Sequence, residues 1–168
     1  VDDGSCFFLV DNQCLDPSLD GYSYSVVQIG WQCWFTENLR TLVYANGDSI
    51  SAGLDAAEWD MTDVSGVGAT SVYGADSASC ESLVLDFDAC DGTSALAAYG
   101  RLYNGYAVTD ARGLCPGGWH VPTDEEWQEM ELVVGVPESE LDDHGVRGLG
   151  NLAGGLLKTT SGWNGMNG

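Results

Sequence analysis

Three groups of side chains in this sequence have types and spacings that could do chemistry. Asp86, Asp88 and Asp91 stand ahead of Gly92, and carboxylates on alternate loop positions can converge on a hard cation such as calcium. The spacing is not that of an EF-hand and lacks its closing Glu, so the competing reading is a solvated acidic loop. Tyr99, Tyr103 and Tyr106 crowd one short stretch with Leu102 and Val108. They supply core, with hydroxyls that need partners once buried, or else they line a platform on which a sugar could stack. Arg101 beside them should pair with a carboxylate or stack on a ring. His120, between Trp119 and Val121, and His144, with no His or Cys near it in sequence, read as structural histidines rather than catalysts or ligands.

The third group is the cysteines. Six of them, few lysines and no CxxC suit a secreted, disulfide-bonded chain better than a cytosolic one. Spacing favours two local loops, Cys6 to Cys14 and Cys80 to Cys90. Elimination then leaves Cys33 to Cys115 as a long-range staple, unless one or both of these are buried thiols. The sequence shows no signal-peptide pattern and no run long enough to cross a bilayer, as expected of either a mature product or a segment cut from one.

Composition sets the surroundings of these groups. The chain has 168 residues, enough for one sizeable core, and five Lys plus Arg against 26 Asp plus Glu give a net charge of −21. Such a surface repels nucleic-acid phosphate and anionic lipid, and no basic patch reverses it. The apolar fraction of 44% and six tryptophans argue for a folded domain inside an acidic, solvated skin, with divalent cations as fitting partners.

The elements that must position these residues centre on 113–130, GLCPGGWHVPTDEEWQEM. Thr123 followed by Glu126 is a capping box, Pro122 fixes φ just before it, and Asp124 and Glu125 complement the helix dipole. Trp127, Met130, Val133 and Val134 recur at helical spacing, so a helix starts at Thr123 and ends near Gly135 and Pro137. Cys115-Pro116-Gly117-Gly118 is a tight turn feeding a short extended piece, and 138–143 is a short second helix.

Upstream, Asp20-Gly21 is a turn, alternation from Tyr22 to Gln28 makes a first strand, and Gly30 breaks it before a second strand, Trp31-Gln32-Cys33-Trp34-Phe35. Asn46-Gly47-Asp48 is a tight turn. From Ser51 to Ser94 the pattern weakens, which predicts long loops pinned by Trp59, Tyr73, Leu83-Val84-Leu85 and the Cys80 to Cys90 bridge. Residues 1–19 read as a short disulfide-closed segment, and Val1-Asp2-Asp3-Gly4-Ser5-Cys6 resembles the end of short Asp- and Cys-rich repeats of secreted bacterial surface proteins.

Several of these stretches together resemble one family. They are Gly21-Tyr22, Val27-Gln28-Ile29-Gly30, 32–40, Tyr99-Gly100-Arg101-Leu102-Tyr103-Asn104, Tyr106-Ala107-Val108, Leu114-Cys115-Pro116, 118–124, Glu126-Trp127, 154–158 and Trp163. In this order, across 20–168, the chain resembles the Fibrobacter succinogenes major paralogous domain, found in secreted and surface proteins of bacteria. The resemblance implies an α+β domain of the C-type-lectin-like and formylglycine-generating-enzyme-like kind, with twisted antiparallel sheets, few short helices and long loops. Asn104-Gly105-Tyr106-Ala107 stands where the family has Asn-Trp-Tyr-Ala, one aromatic fewer. The family's domain also continues with further strands beyond the position of Gly168, and these would be absent, undetermined or supplied by another molecule.

Two functions follow as expectations. The first is a secreted, extracellular, non-enzymatic structural protein of the cell surface that self-assembles as a homo-oligomer or polymer, a fibre or layer, by strand exchange. The second is a carbohydrate- or protein-binding adhesion module of a larger surface protein, with a glycan or surface-protein ligand. Neither needs a cofactor beyond possible calcium. The formylglycine-generating enzymes of the superfamily use metal-binding cysteines in a part of the fold with no counterpart in this sequence, and the calcium set of its sugar-binding lectins is not seen.

Overall fold

The structure, a computed structural model, describes residues 7–9, 14–74, 90–148, 150 and 153–157. It is a mixed α+β arrangement of three small sheets and a few short helices. The strand β1 (Phe7–Leu9) is followed by a hairpin of β2 (Ser18–Leu19) and β3 (Tyr22–Ser23), then by β4 (Val26–Ile29) and β5 (Gln32–Phe35). Asp20 and Gly21 both have positive φ, 52° and 73°, which is the backbone of a tight turn whose twist matches the strands it joins. The single first strand expected over 22–28 is divided in two. Tyr24, between the pieces, turns into the core, and its N–H donates to the Pro17 carbonyl at 2.9 Å.

The first sheet has the order β1-β5-β4, with Val27 opposite Trp34 and Phe8 opposite Cys33. The β4–β5 turn is Gly30-Trp31, where Gly30 has φ 61° and a Cβ would meet the Val133 side chain at 2.8 Å. That close approach is one of the places where the hub helix α4 (Asp124–Val133) meets this sheet. The other is Gln32, which is buried. Its Nε2 donates to the Glu126 carbonyl and to Glu129 Oε2, both at 3.1 Å, and its Oε1 accepts from Trp34 Nε1 at 3.1 Å. Trp34 and Trp127 then pack at 4.8 Å between ring centroids with Met130 beneath them.

The capping box at Thr123 and Glu126 forms as the sequence predicts, with both reciprocal hydrogen bonds present. Of the expected stripe, Met130 is buried and Val133 is more than half exposed. The short second helix is one turn of 3-10 helix at Glu138–Glu140, and a last turn, α5 (Ala153–Leu156), sets Ala153 against Val136 and Leu141.

The stretch expected to be loops is partly regular. Here β6 (Ser51–Ala52), helix α1 (Ala56–Ser65) and β7 (Ala69–Ser71) form a parallel crossover, and β8 (Leu102–Tyr103) pairs antiparallel with β7. A parallel pair needs a long connection, and α1 fills it. That helix opens with its own capping box, Asp55 and Glu58, and buries only Thr62. Helix α2 (Gly92–Tyr99) precedes β8, and α3 (Gly105–Val108) follows it.

The disulfide pairing differs from the expected one. Cys14 bonds to Cys33, with Cα atoms 5.6 Å apart, so neither Cys6 with Cys14 nor Cys33 with Cys115 is a pair. The reason is the path of the backbone. Residues 7–9 run antiparallel along β5, and Cys14 lies beside Cys33 of that same strand. Of the segment before residue 20, Phe7–Leu9 and Cys14 are therefore tied to β5. Cys90 and Cys115 are also disulfide-bonded, while Cys6 and Cys80 lie outside the described residues.

Candidate functional site

The tyrosines do not form one platform. Tyr103 is wholly buried in the main core with Tyr24, Leu39, Tyr44 and Ile50, and its hydroxyl donates to the Thr41 carbonyl at 2.8 Å. Burial drives its pKa well above the ordinary tyrosine range, so it stays a neutral donor. No sugar can reach it. Tyr99 packs edge-on against Tyr73 at 5.8 Å. Tyr106 is 41% exposed, and its hydroxyl donates to the Asp63 carbonyl at the end of α1. Gly105 beside it has nothing within 4 Å of where a Cβ would be. Arg101 donates from Nε to the Arg40 carbonyl at 3.0 Å, and among the described residues no carboxylate or ring is paired with it.

Asp91 is the N-cap of α2. Its carboxylate accepts from Ser94 Oγ at 2.6 Å and from the Ser94 and Thr93 N–H groups, and these bonds, the hydroxyl first, hold its pKa below the usual carboxylate value. Asp86 and Asp88 lie outside the described residues. Among the described residues, no three His, Cys, Asp or Glu side chains converge as a metal site.

His120 sits 3.0 Å from both carboxylate oxygens of Glu126, and so steadies the residue that closes the hub capping box. Desolvation pushes the Glu126 pKa up, but the Thr123 N–H and His120 outweigh it and hold the value below the ordinary one.

Sequence reasoning missed Arg112. Its Nε and one terminal nitrogen grip Asp110 at 2.9 and 2.8 Å, the other terminal nitrogen reaches Asp48 at 3.3 Å, and the guanidinium lies 3.9 Å over the Tyr44 ring. The bidentate bond is the strong kind, and it depresses the Asp110 pKa well below the carboxylate range. It ties the Asn46-Gly47-Asp48 turn to the 110–113 turn. The available signal was the Asp110-Ala111-Arg112 spacing followed by Gly113.

The remaining feature is an edge. Phe7–Leu9 adds itself to the open side of β5, and Cys14 fixes it there through Cys33, which is fully buried. Next to it Leu15 is 74% exposed, and Trp31 at the tip of the β4–β5 hairpin is 71% exposed.

A hydrogen-bonded tyrosine core, a capped hub helix docked on a hairpin and a βαβ crossover describe an α+β domain held by disulfides. The chain belongs to the Fibrobacter succinogenes major domain family, which matches residues 27–168. No curated protein and no solved structure matches it. The strands β1, β2 and β3 precede the matched region. No helix among the described residues is long and apolar enough to cross a membrane.

Proposed function

We propose that this chain is a secreted, non-enzymatic structural protein of the cell surface or extracellular space, which assembles with copies of itself through exchange of a β-strand. One observation carries the reading. A strand from outside the family-matched region, Phe7–Leu9, completes the edge of a sheet inside it by pairing with β5. A sheet edge binds an added strand through its backbone, so the same segment from a neighbouring copy satisfies it equally well. The disulfides favour an oxidising compartment, and the net charge of −21 suits a surface in contact with water and divalent cations. The fold is read as a small variant of the C-type-lectin-like and formylglycine-generating-enzyme-like superfamily.

Electron microscopy of the native material, with intact-mass analysis of the same sample, tests this. Ordered filaments or layers built from a chain of this mass support it. Dispersed particles of one chain each contradict it.

Exposed aromatic groups favour a second reading, an adhesion module that binds glycan or protein. Tyr106 stands beside open space at Gly105, and Trp31 projects from its hairpin. Quenching of tryptophan fluorescence by added oligosaccharide, lost on Trp31→Ala, would support that reading instead.

A further inference from the structure

Two anchored pieces of chain flank a short exposed linker. On one side, Phe7–Leu9 is paired with β5 and Cys14 is bonded to Cys33. On the other, Pro17 accepts the Tyr24 N–H at 2.9 Å and Ser18–Leu19 pairs with Tyr22–Ser23. Between them lie Leu15 and Asp16, both exposed. Pro17 biases Asp16 toward extended backbone, so the linker favours a stretched path over a tight reversal. Among the described residues, the strand and Cys14 precede this hinge, and the sheet edge and Cys33 that they bind follow it.

We infer that Phe7–Leu9 together with Cys14 is the element exchanged between copies, that residues 15 and 16 are the hinge, and that Cys14 of one copy forms its disulfide with Cys33 of the next. This rests on the strand-exchange reading above and names its partner, a second copy of this chain. The contacts made on β5 are the same whether the strand comes from its own chain or from a neighbour. What differs is the concentration of the competing strand, and a short linker gives its own strand an effective concentration in the millimolar range. Exchange therefore needs crowding, as at a secretion site or a growing fibre end.

The disulfide makes the outcome permanent. The Cys14 and Cys33 thiols give up two protons and two electrons to a low-molecular-weight disulfide, which leaves as two thiols. Oxidation before exchange closes the strand on its own domain. Oxidation after exchange joins two chains covalently at a site where Cys33 is shielded from reductant. Reciprocal exchange closes a dimer, and head-to-tail exchange propagates an open chain.

The test is the secreted chain on a denaturing gel run with and without reductant. The expected result is a ladder at multiples of the chain mass that collapses to one band on reduction. Ordinary and nitrogen-15-labelled chains, reduced, mixed at high concentration and reoxidised with oxidised glutathione, identify the bond. Mixed-mass Cys14–Cys33 peptides should approach about half of the total, as random pairing of copies gives. A single unreduced band, or linked peptides of like mass only, overturns the inference. Filaments built from chains that run as one band would keep the strand-exchange reading and remove the covalent link. Linked dimers without larger assemblies would keep the link and remove the fibre.

Discussion

Cys14 and Cys33 are joined by a disulfide across 5.6 Å between their Cα atoms, and Cys33 stands opposite Phe8 in the sheet. The strand before the family domain is thus held to β5 twice, by backbone pairing and by sulfur. The bond closes a loop with a sequence separation of 19. Replacing both cysteines with alanine should lower unfolding free energy by about 3 kcal/mol, the value expected for a loop of this order. Urea denaturation of the two forms measures it, and an unchanged midpoint would mean that the disulfide contributes nothing to the stability of the fold.

Glu126 closes the hub capping box with its carboxylate ionised. Because its folded pKa lies below the ordinary value, its contribution is fully present above the unfolded carboxyl range, about pH 4.3, and is lost as pH falls through the depressed folded value. The gap in urea midpoint between wild type and Glu126→Gln should be open at neutral pH and should close in acid. Thr123→Ala should cost about 1 kcal/mol at neutral pH, as the loss of an N-cap does. A gap that does not change with pH would remove the charge from this account.

The hub was legible because its signals are local. Thr123, Glu126 and Trp127 lie within one turn and a half of chain, and the turns at Asp20-Gly21 and Asn46-Gly47-Asp48 carry their own backbone chemistry. Helix α1 was not, although Asp55 and Glu58 form the same kind of box. It buries Thr62 and turns Met61 and Val64 outward, so it has no apolar stripe to announce it. The parallel pairing of β6 with β7 rests on two residues of each, too few for any alternation. Nearness in sequence favours Cys6 as the partner of Cys14, but the path of β1 along β5 decides for Cys33. Of the tyrosine stretch, the core reading holds for Tyr103, whose hydroxyl finds the Thr41 carbonyl.

Tyr103→Phe removes that donor and leaves the Thr41 carbonyl buried and unpaired. The expected loss is about 1–3 kcal/mol, the cost of one unsatisfied buried group, with little change in packing. Thermal unfolding of the variant checks it. A neutral result would mean that water replaces the hydroxyl.

Gly68 is where the core has no room. A Cβ there would stand 2.1 Å from the Tyr44 hydroxyl oxygen and 2.9 Å from Ala107 Cα. Gly68→Ala should destabilise by about 1–3 kcal/mol or more through overpacking. Tyr44→Phe removes the nearer atom, so the double variant should recover part of that loss, a coupling of about 1 kcal/mol in a double-mutant cycle. Additive effects would show that the backbone at Ala107 is the harder obstacle.

Strand exchange requires that copies of this chain join. Light scattering on the full chain, eluted over a wide concentration range in oxidising buffer, tests that most directly. Strand exchange predicts a mass that rises in whole multiples of one chain and persists on dilution once the disulfides have formed. A single-chain mass at every concentration would contradict it.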